Sequence, residues 1–288
     1  MFQRVASPEG GSPGSPGSLA LDATPPAHAH GTALVYLHGL GSERGGEKAR
    51  FLEERALERG FGFARFDFRG HGDSTGRFEE LTLTRHLEDV AAVLAHLGSG
   101  AAGRAPERFV LVGASLGAVV AAWHALLHPG TVAAQVLIAP AFRILERYLE
   151  ALGEFGRARW QRERTYRFVG PWFEFDLDWR VIEDSASYPP ERLERETATP
   201  TLLIHGTADT TAPFALSERF AAACAARPRL VAIAGGDHRL TAHKERVADE
   251  LFSFLALVPI PVGRTEPFGA PDPQTRGAPT RRINGEIR

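Results

Sequence analysis

Residues 113–117 read Gly-Ala-Ser-Leu-Gly, directly after the apolar run Phe109-Val-Leu-Val112 and directly before Ala118-Val-Val-Ala-Ala-Trp-His-Ala-Leu-Leu127. A Gly-x-Ser-x-Gly pentapeptide between a buried strand and a helix specifies a sharp turn that holds its serine in a strained conformation with the hydroxyl exposed. The small residues are needed because neighbouring backbone approaches closely there. Alone, the pentapeptide is a weak signal; the strand before it and the helix after it make it a strong one.

A serine so placed needs partners, in the chain order serine, acid, histidine. Two further apolar runs carry candidates at their ends. Thr201-Leu-Leu-Ile-His205 leads into Gly206-Thr-Ala-Asp209, and Leu230-Val-Ala-Ile-Ala234 leads into Gly235-Gly-Asp-His238. Asp209 and His238 are thereby expected on loops at the C-terminal ends of strands, where open α/β sheets place their chemistry. Upstream, Ala33-Leu-Val-Tyr-Leu37 ends in His38-Gly-Leu-Gly-Ser42. That loop offers the backbone N–H of Leu40 to an oxyanion, with the N–H of Leu116 as the second donor.

Two other carboxylates compete with Asp209. Asp237 adjoins His238, but sequence neighbours rarely align with the ring nitrogen. Asp67 ends an earlier strand and is expected to brace the turn Arg69–Ser74. His38, His71 and His205 are read as loop braces rather than catalytic groups.

Strand and helix signals alternate over most of the chain. Strands are expected near 33–37, 62–67, 108–112, 134–139, 201–205 and 229–234, and helices near 46–59, 81–97, 115–128, 213–226 and 243–257. Such alternation specifies a mostly parallel, doubly wound sheet covered on both faces. The core is therefore assigned to 19–140 and 199–258. Residues 1–18 are expected as a flexible N-terminal segment, since 7–18 are Ser, Pro and Gly except for Glu9. If 7–18 is instead the tip of a hairpin, two early antiparallel strands flank it. Residues 259–288 hold six prolines and four glycines without apolar periodicity, and are expected as a disordered tail.

The interval 141–198 breaks the alternation and is too long for a crossover. It holds Trp160, Trp172 and Trp179, three of the four tryptophans, and three of the four tyrosines. It is read as a helical cap insertion over the site, with those tryptophans contacting substrate. The alternative is an insertion packed beside the sheet.

Composition excludes several classes. A net charge of −2 provides no field for nucleic acid or an anionic membrane. One cysteine, Cys224, makes neither an intrachain disulfide nor a CxxC metal site. No apolar run approaches the ~18 residues of a membrane span. The N-terminus shows no basic segment followed by an apolar stretch, so the expected compartment is the cytoplasm.

Taken in order, His38-Gly39, Arg65-Phe-Asp-Phe-Arg-Gly-His-Gly-Asp-Ser74, Gly113-Ala-Ser-Leu-Gly117, His205-Gly-Thr-Ala-Asp209 and Asp237-His238 resemble the α/β-hydrolase superfamily over about residues 20–258. The segment 66–80 is similar to bacterial feruloyl (cinnamoyl) esterases. Gly113–Gly117 together with Gly236-Asp-His-Arg-Leu240 looks more like small acyl-thioesterases and acyl-glucuronide esterases of the mitochondrial palmitoyl-protein thioesterase type. The resemblance implies an α/β-hydrolase fold and a Ser115–His238–Asp209 triad that needs no metal or cofactor. The expected activity is hydrolysis of small-molecule carboxylic esters. Thioester hydrolysis by the same serine is the alternative, and a non-enzymatic ligand-binding protein of the fold is a remote one.

Overall fold

The computed structural model describes residues 1–7, 17–28, 31–170 and 173–258. The central strands form where the chain offers unbroken apolar runs. All six residues of β3 (Thr32–Leu37) are buried, as are all but the first of β5 (Arg108–Ala114). Strands covered on both faces carry continuous rather than alternating apolar sequence.

In sequence the sheet comprises β1 (Phe2–Ala6), β2 (Ser18–Thr24), β3, β4 (Gly62–Phe66), β5, β6 (Ala134–Ile138), β9 (Thr201–Gly206) and β10 (Arg229–Ile233). Its spatial order is β1-β2-β4-β3-β5-β6-β9-β10. The six strands from β4 to β10 pair in parallel, while β2 pairs antiparallel with both β1 and β4. The expectation of a flexible segment over 1–18 thus fails at 2–6: Phe2–Ala6 pair residue by residue with Ser18–Asp22, and Val5 is buried. The expected tail at 259–288 lies outside the described residues.

Five helices cover the sheet: α1 (Glu47–Leu57), α2 (Leu83–Gly98), α3 (Leu116–Leu127), α7 (Phe214–Ala223) and α8 (Lys244–Leu257). Val90, Trp123 and Phe220 place α2, α3 and α7 in one apolar layer, and Leu52 and Leu251 place α1 and α8 in the other. Thr82 caps α2, its hydroxyl accepting from the Arg85 N–H at 3.2 Å.

The insertion between β6 and β9 is not purely helical. It comprises α4 (Ile144–Glu163), a hairpin of β7 (Thr165–Gly170) and β8 (Phe173–Asp178), then α5 (Arg180–Ser185) and α6 (Pro190–Glu196). Gly153 breaks α4 with φ +62°, ψ −175°, a conformation that glycine adopts without Cβ strain. The insertion has its own apolar core of Trp160, Phe168, Leu177, Trp179 and Val181, which Leu81 joins from the main body.

Candidate active site

Ser115 sits between β5 and α3 at φ +54°, ψ −117°, a region that non-glycine residues rarely occupy. Packing holds it there. A Cβ on Gly113 would collide with the Gly117 carbonyl, and one on Gly117 with the Leu37 carbonyl. The Ser115 N–H donates to Ile138 O at 2.9 Å, and its carbonyl accepts from Ala118 N–H and Ala141 N–H.

The loops after β9 and β10 bring the two expected partners to this serine. The Ser115 hydroxyl lies 2.9 Å from His238 Nε2, and His238 Nδ1 lies 2.7 Å from Asp209 Oδ2. An ionised carboxylate only accepts, so Nδ1 carries the proton and Nε2 is left to receive one from Ser115. Asp237 takes a different part: its Oδ1 accepts from the Leu240 N–H at 2.8 Å and steadies the loop.

Asp209 is satisfied from four directions. Oδ1 accepts from the N–H groups of Thr211 and Ala212, both at 2.8 Å; Oδ2 accepts from His238 and from His205 Nε2 at 2.9 Å. Burial would push this carboxyl up, but the bonds from His205, His238 and Ala212 together outweigh it and hold the group well below the usual carboxylate range. His205 is fully buried, and its Nδ1 lies 2.7 Å from Ser217 Oγ. The sequence suggested a backbone brace for His205. Its ring does reach Ala212 O at 2.8 Å, but it also touches the acid itself. Nothing in the spacing signals that contact; on the other side of the ring, the Ser217 contact joins the end of β9 to α7.

The remaining loop groups act as braces. His38 donates from Nδ1 to Gly39 O and accepts the Phe68 N–H at Nε2. Asp67 accepts from the N–H groups of Arg44 and Asp73 and pairs with the Arg44 guanidinium. A Cβ at Gly39 would stand 3.1 Å from Ser115 Cβ, so the loop after β3 abuts the serine. The Leu40 N–H has no acceptor among the described residues, and the Leu116 N–H, opening α3, has none within the helix.

A cavity of about 660 Å³ opens on Ser115 and His238. The main body contributes Leu40, Leu116 and Trp123, and the insertion contributes Tyr148, Val181 and Tyr188. The insertion is tied to the main body at two places: Thr84 Oγ1 donates to Asp184 at 2.5 Å beside the Tyr188 hydroxyl, and Arg219 of α7 pairs with Glu194. Within the insertion, Arg143 pairs with Glu146, Glu191 and Glu194.

The tryptophans correct one expectation. Trp160 and Trp179 do not line the cavity; they pack edge to face at 5.3 Å inside the insertion's own core, and the Trp160 indole N–H donates to Leu177 O at 2.9 Å. An insertion of this size needs large apolar groups to stabilise itself, and these residues meet that need. Trp172 lies outside the described residues.

A parallel sheet with a strained serine at the end of its fifth strand, facing a histidine and a carboxylate from later strand ends, defines the α/β-hydrolase class. The chain belongs to the Alpha/beta hydrolase family, which it matches over residues 34–250. A palmitoyl-protein thioesterase, the mitochondrial ABHD10 of Rattus norvegicus, is 27% identical over 192 residues; the match spans 63% of this chain and 60% of that protein's length. The solved structure of mouse ABHD10 superimposes with a TM-score of 0.73 at 21% identity, over 89% of this chain and 98% of that one. Est1E from Butyrivibrio proteoclasticus, solved with ferulic acid bound, gives 0.69 at 22% identity, over 83% and 96%. Among the described residues no helix is long and apolar enough to cross a membrane.

Proposed function

We propose that the chain is a serine hydrolase that cleaves carboxylic esters through an acyl-enzyme. The observation that carries this reading is the unbroken hydrogen-bonded line from Ser115 through His238 to Asp209, built on the strained turn. A free serine hydroxyl is a poor nucleophile. His238 takes its proton as the hydroxyl oxygen attacks the acyl carbonyl, then returns it to the leaving alcohol. Asp209 keeps the Nδ1–H tautomer of His238 and stabilises the imidazolium. The N–H groups of Leu40 and Leu116 receive the tetrahedral oxyanion; losing one such donor typically costs ~3 kcal/mol. A water molecule, activated by His238 in the same way, releases the acid.

The insertion acts as a cap: its residues close the cavity over Ser115, so what it admits sets substrate choice. Thioester hydrolysis is the second reading, favoured by the similarity to ABHD10. A panel of p-nitrophenyl esters of graded chain length beside matched acyl-thioesters separates the two. Hydrolysis should be abolished in Ser115→Ala, together with labelling by a fluorophosphonate. Labelling that survives the substitution would defeat the assignment.

A further inference from the structure

On the cavity wall formed by α2, α3 and α5, Leu83, Val119, Trp123 and Val181 present apolar surface, and His86 interrupts them. His86 stands one helical turn after Leu83, so both share the α2 face that borders the cavity. Its residue surface is 2% exposed. Nδ1 lies 2.9 Å from Thr82 O. A carbonyl only accepts, so Nδ1 carries the proton and a neutral ring leaves Nε2 as a bare lone pair. Burial, reinforced by the neighbouring His71 and His38, holds the ring neutral. Phe68 packs edge-on against it at 4.4 Å and fixes its plane. Nε2 has no hydrogen-bond partner among the described residues.

The neighbouring histidines show why His86 is singled out. The Nε2 of His38 is occupied by the Phe68 N–H. The Nε2 of His71 is also unpartnered among the described residues, but His71 does not border the cavity. Only His86 among the three combines a free acceptor with a place on the cavity wall. An apolar substrate packed against that nitrogen would strand it, whereas one carrying a donor would satisfy it.

We propose that the cavity selects hydroxylated esters, a hydroxyl on the enclosed half of the substrate donating to His86 Nε2. The proposal rests on the cavity being the substrate site of the hydrolase described above. Its test therefore has a binding arm that needs no turnover. Ser115→Ala protein would be titrated calorimetrically with hydroxyacyl esters bearing the hydroxyl at successive carbons, with monoacyl diols, and with their unsubstituted counterparts. At least one hydroxyl position should bind about tenfold tighter than its unsubstituted partner, the worth of one neutral hydrogen bond in a closed site. In Ser115→Ala/His86→Phe the ratio should fall to about one, by loss on the hydroxylated ligand and gain on the other. In protein with His86 intact, nitrogen NMR should show the Nε2 resonance moving on addition of the preferred ligand only. That readout stands even if the double variant fails to fold.

The kinetic arm compares kcat/KM for the same pairs in wild type, where the preference should recur. No preference at any hydroxyl position in either half, or a preference that persists in His86→Phe, overturns the proposal. If the binding preference holds while wild type hydrolyses none of the esters, the hydrolase reading fails and the ligand class stands.

Discussion

The sheet and the insertion solve different problems. In the sheet, buried strands end together, and each strand end releases a short loop whose first polar residues are delivered to one place: Ser115, Asp209 and His238 come from three such loops. In the insertion, a broken helix, a hairpin and two short helices first have to build a core of their own, and the cavity receives what that core leaves over. A shared edge thus positions groups that are far apart in sequence, whereas an insertion's most conspicuous aromatics are consumed by its own packing.

The sharpest break in this comparison lies within the sheet. Asp209→Asn should lower kcat/KM by about three to four orders of magnitude, as loss of the orienting carboxylate does in such triads. Asp237→Asn, which loosens one loop contact, should cost only a few fold. Equal losses in steady-state rates would show that the acid is shared or misassigned.

In the insertion the largest effect should be on stability. Trp160→Ala removes a fully buried ring and an indole hydrogen bond, at a cost of about 3–5 kcal/mol. Thermal melts should show that loss, and all esters in the panel should suffer alike. A selective loss on bulky esters with an unchanged Tm would restore the substrate-contact role first expected of this residue. Val181→Phe, by contrast, projects bulk into the cavity and should cut kcat/KM for long acyl chains about tenfold while sparing acetate. Uniform loss across chain lengths would mean that the cavity does not hold the acyl group.

A smaller effect tests the acid's environment. The carboxyl of Asp209 is held below its ordinary range, so folding favours its ionised form. That contribution is complete above roughly pH 4, where the unfolded carboxyl is also ionised, and is lost as pH falls toward the lower native value. The Tm gap between wild type and Asp209→Asn should therefore be widest near neutrality and shrink below about pH 4. A gap that stays constant with pH would mean that the carboxyl is not held ionised by its neighbours. The smallest change should come from Asp184→Asn, which weakens the tether to Thr84; KM on bulky esters should shift by a few fold with little change in kcat. A fall in kcat alone would instead link the tether to the chemistry.

Much of the site was legible before any fold was drawn. Gly113–Gly117 forms a tight turn for local steric reasons, and the apolar runs ending at His205 and Ala234 declare strands whose ends carry Asp209 and His238. The strand at 2–6 was less legible, because Phe2-Gln-Arg-Val-Ala6 is mostly exposed at the edge of the sheet and has no apolar run to announce it. Composition could not separate tryptophans that fill a core from tryptophans that line a cavity, since both uses demand the same apolar area. The contacts of His205 with Asp209 and of Asp184 with Thr84 were equally invisible, the second joining residues 100 positions apart.

By itself, the sequence determined the layered α/β architecture, the strained serine and the order of its partners, because strand burial, helix periodicity and a tight turn are short-range properties of neighbouring residues. Only the tertiary structure decided that His205 and Ser217 support the acid, that Trp160 and Trp179 stabilise the insertion, and that, among the described residues, His86 on the cavity wall is left with one ring nitrogen unpartnered. Those outcomes depend on which distant surfaces meet, and that is settled by packing across the whole chain.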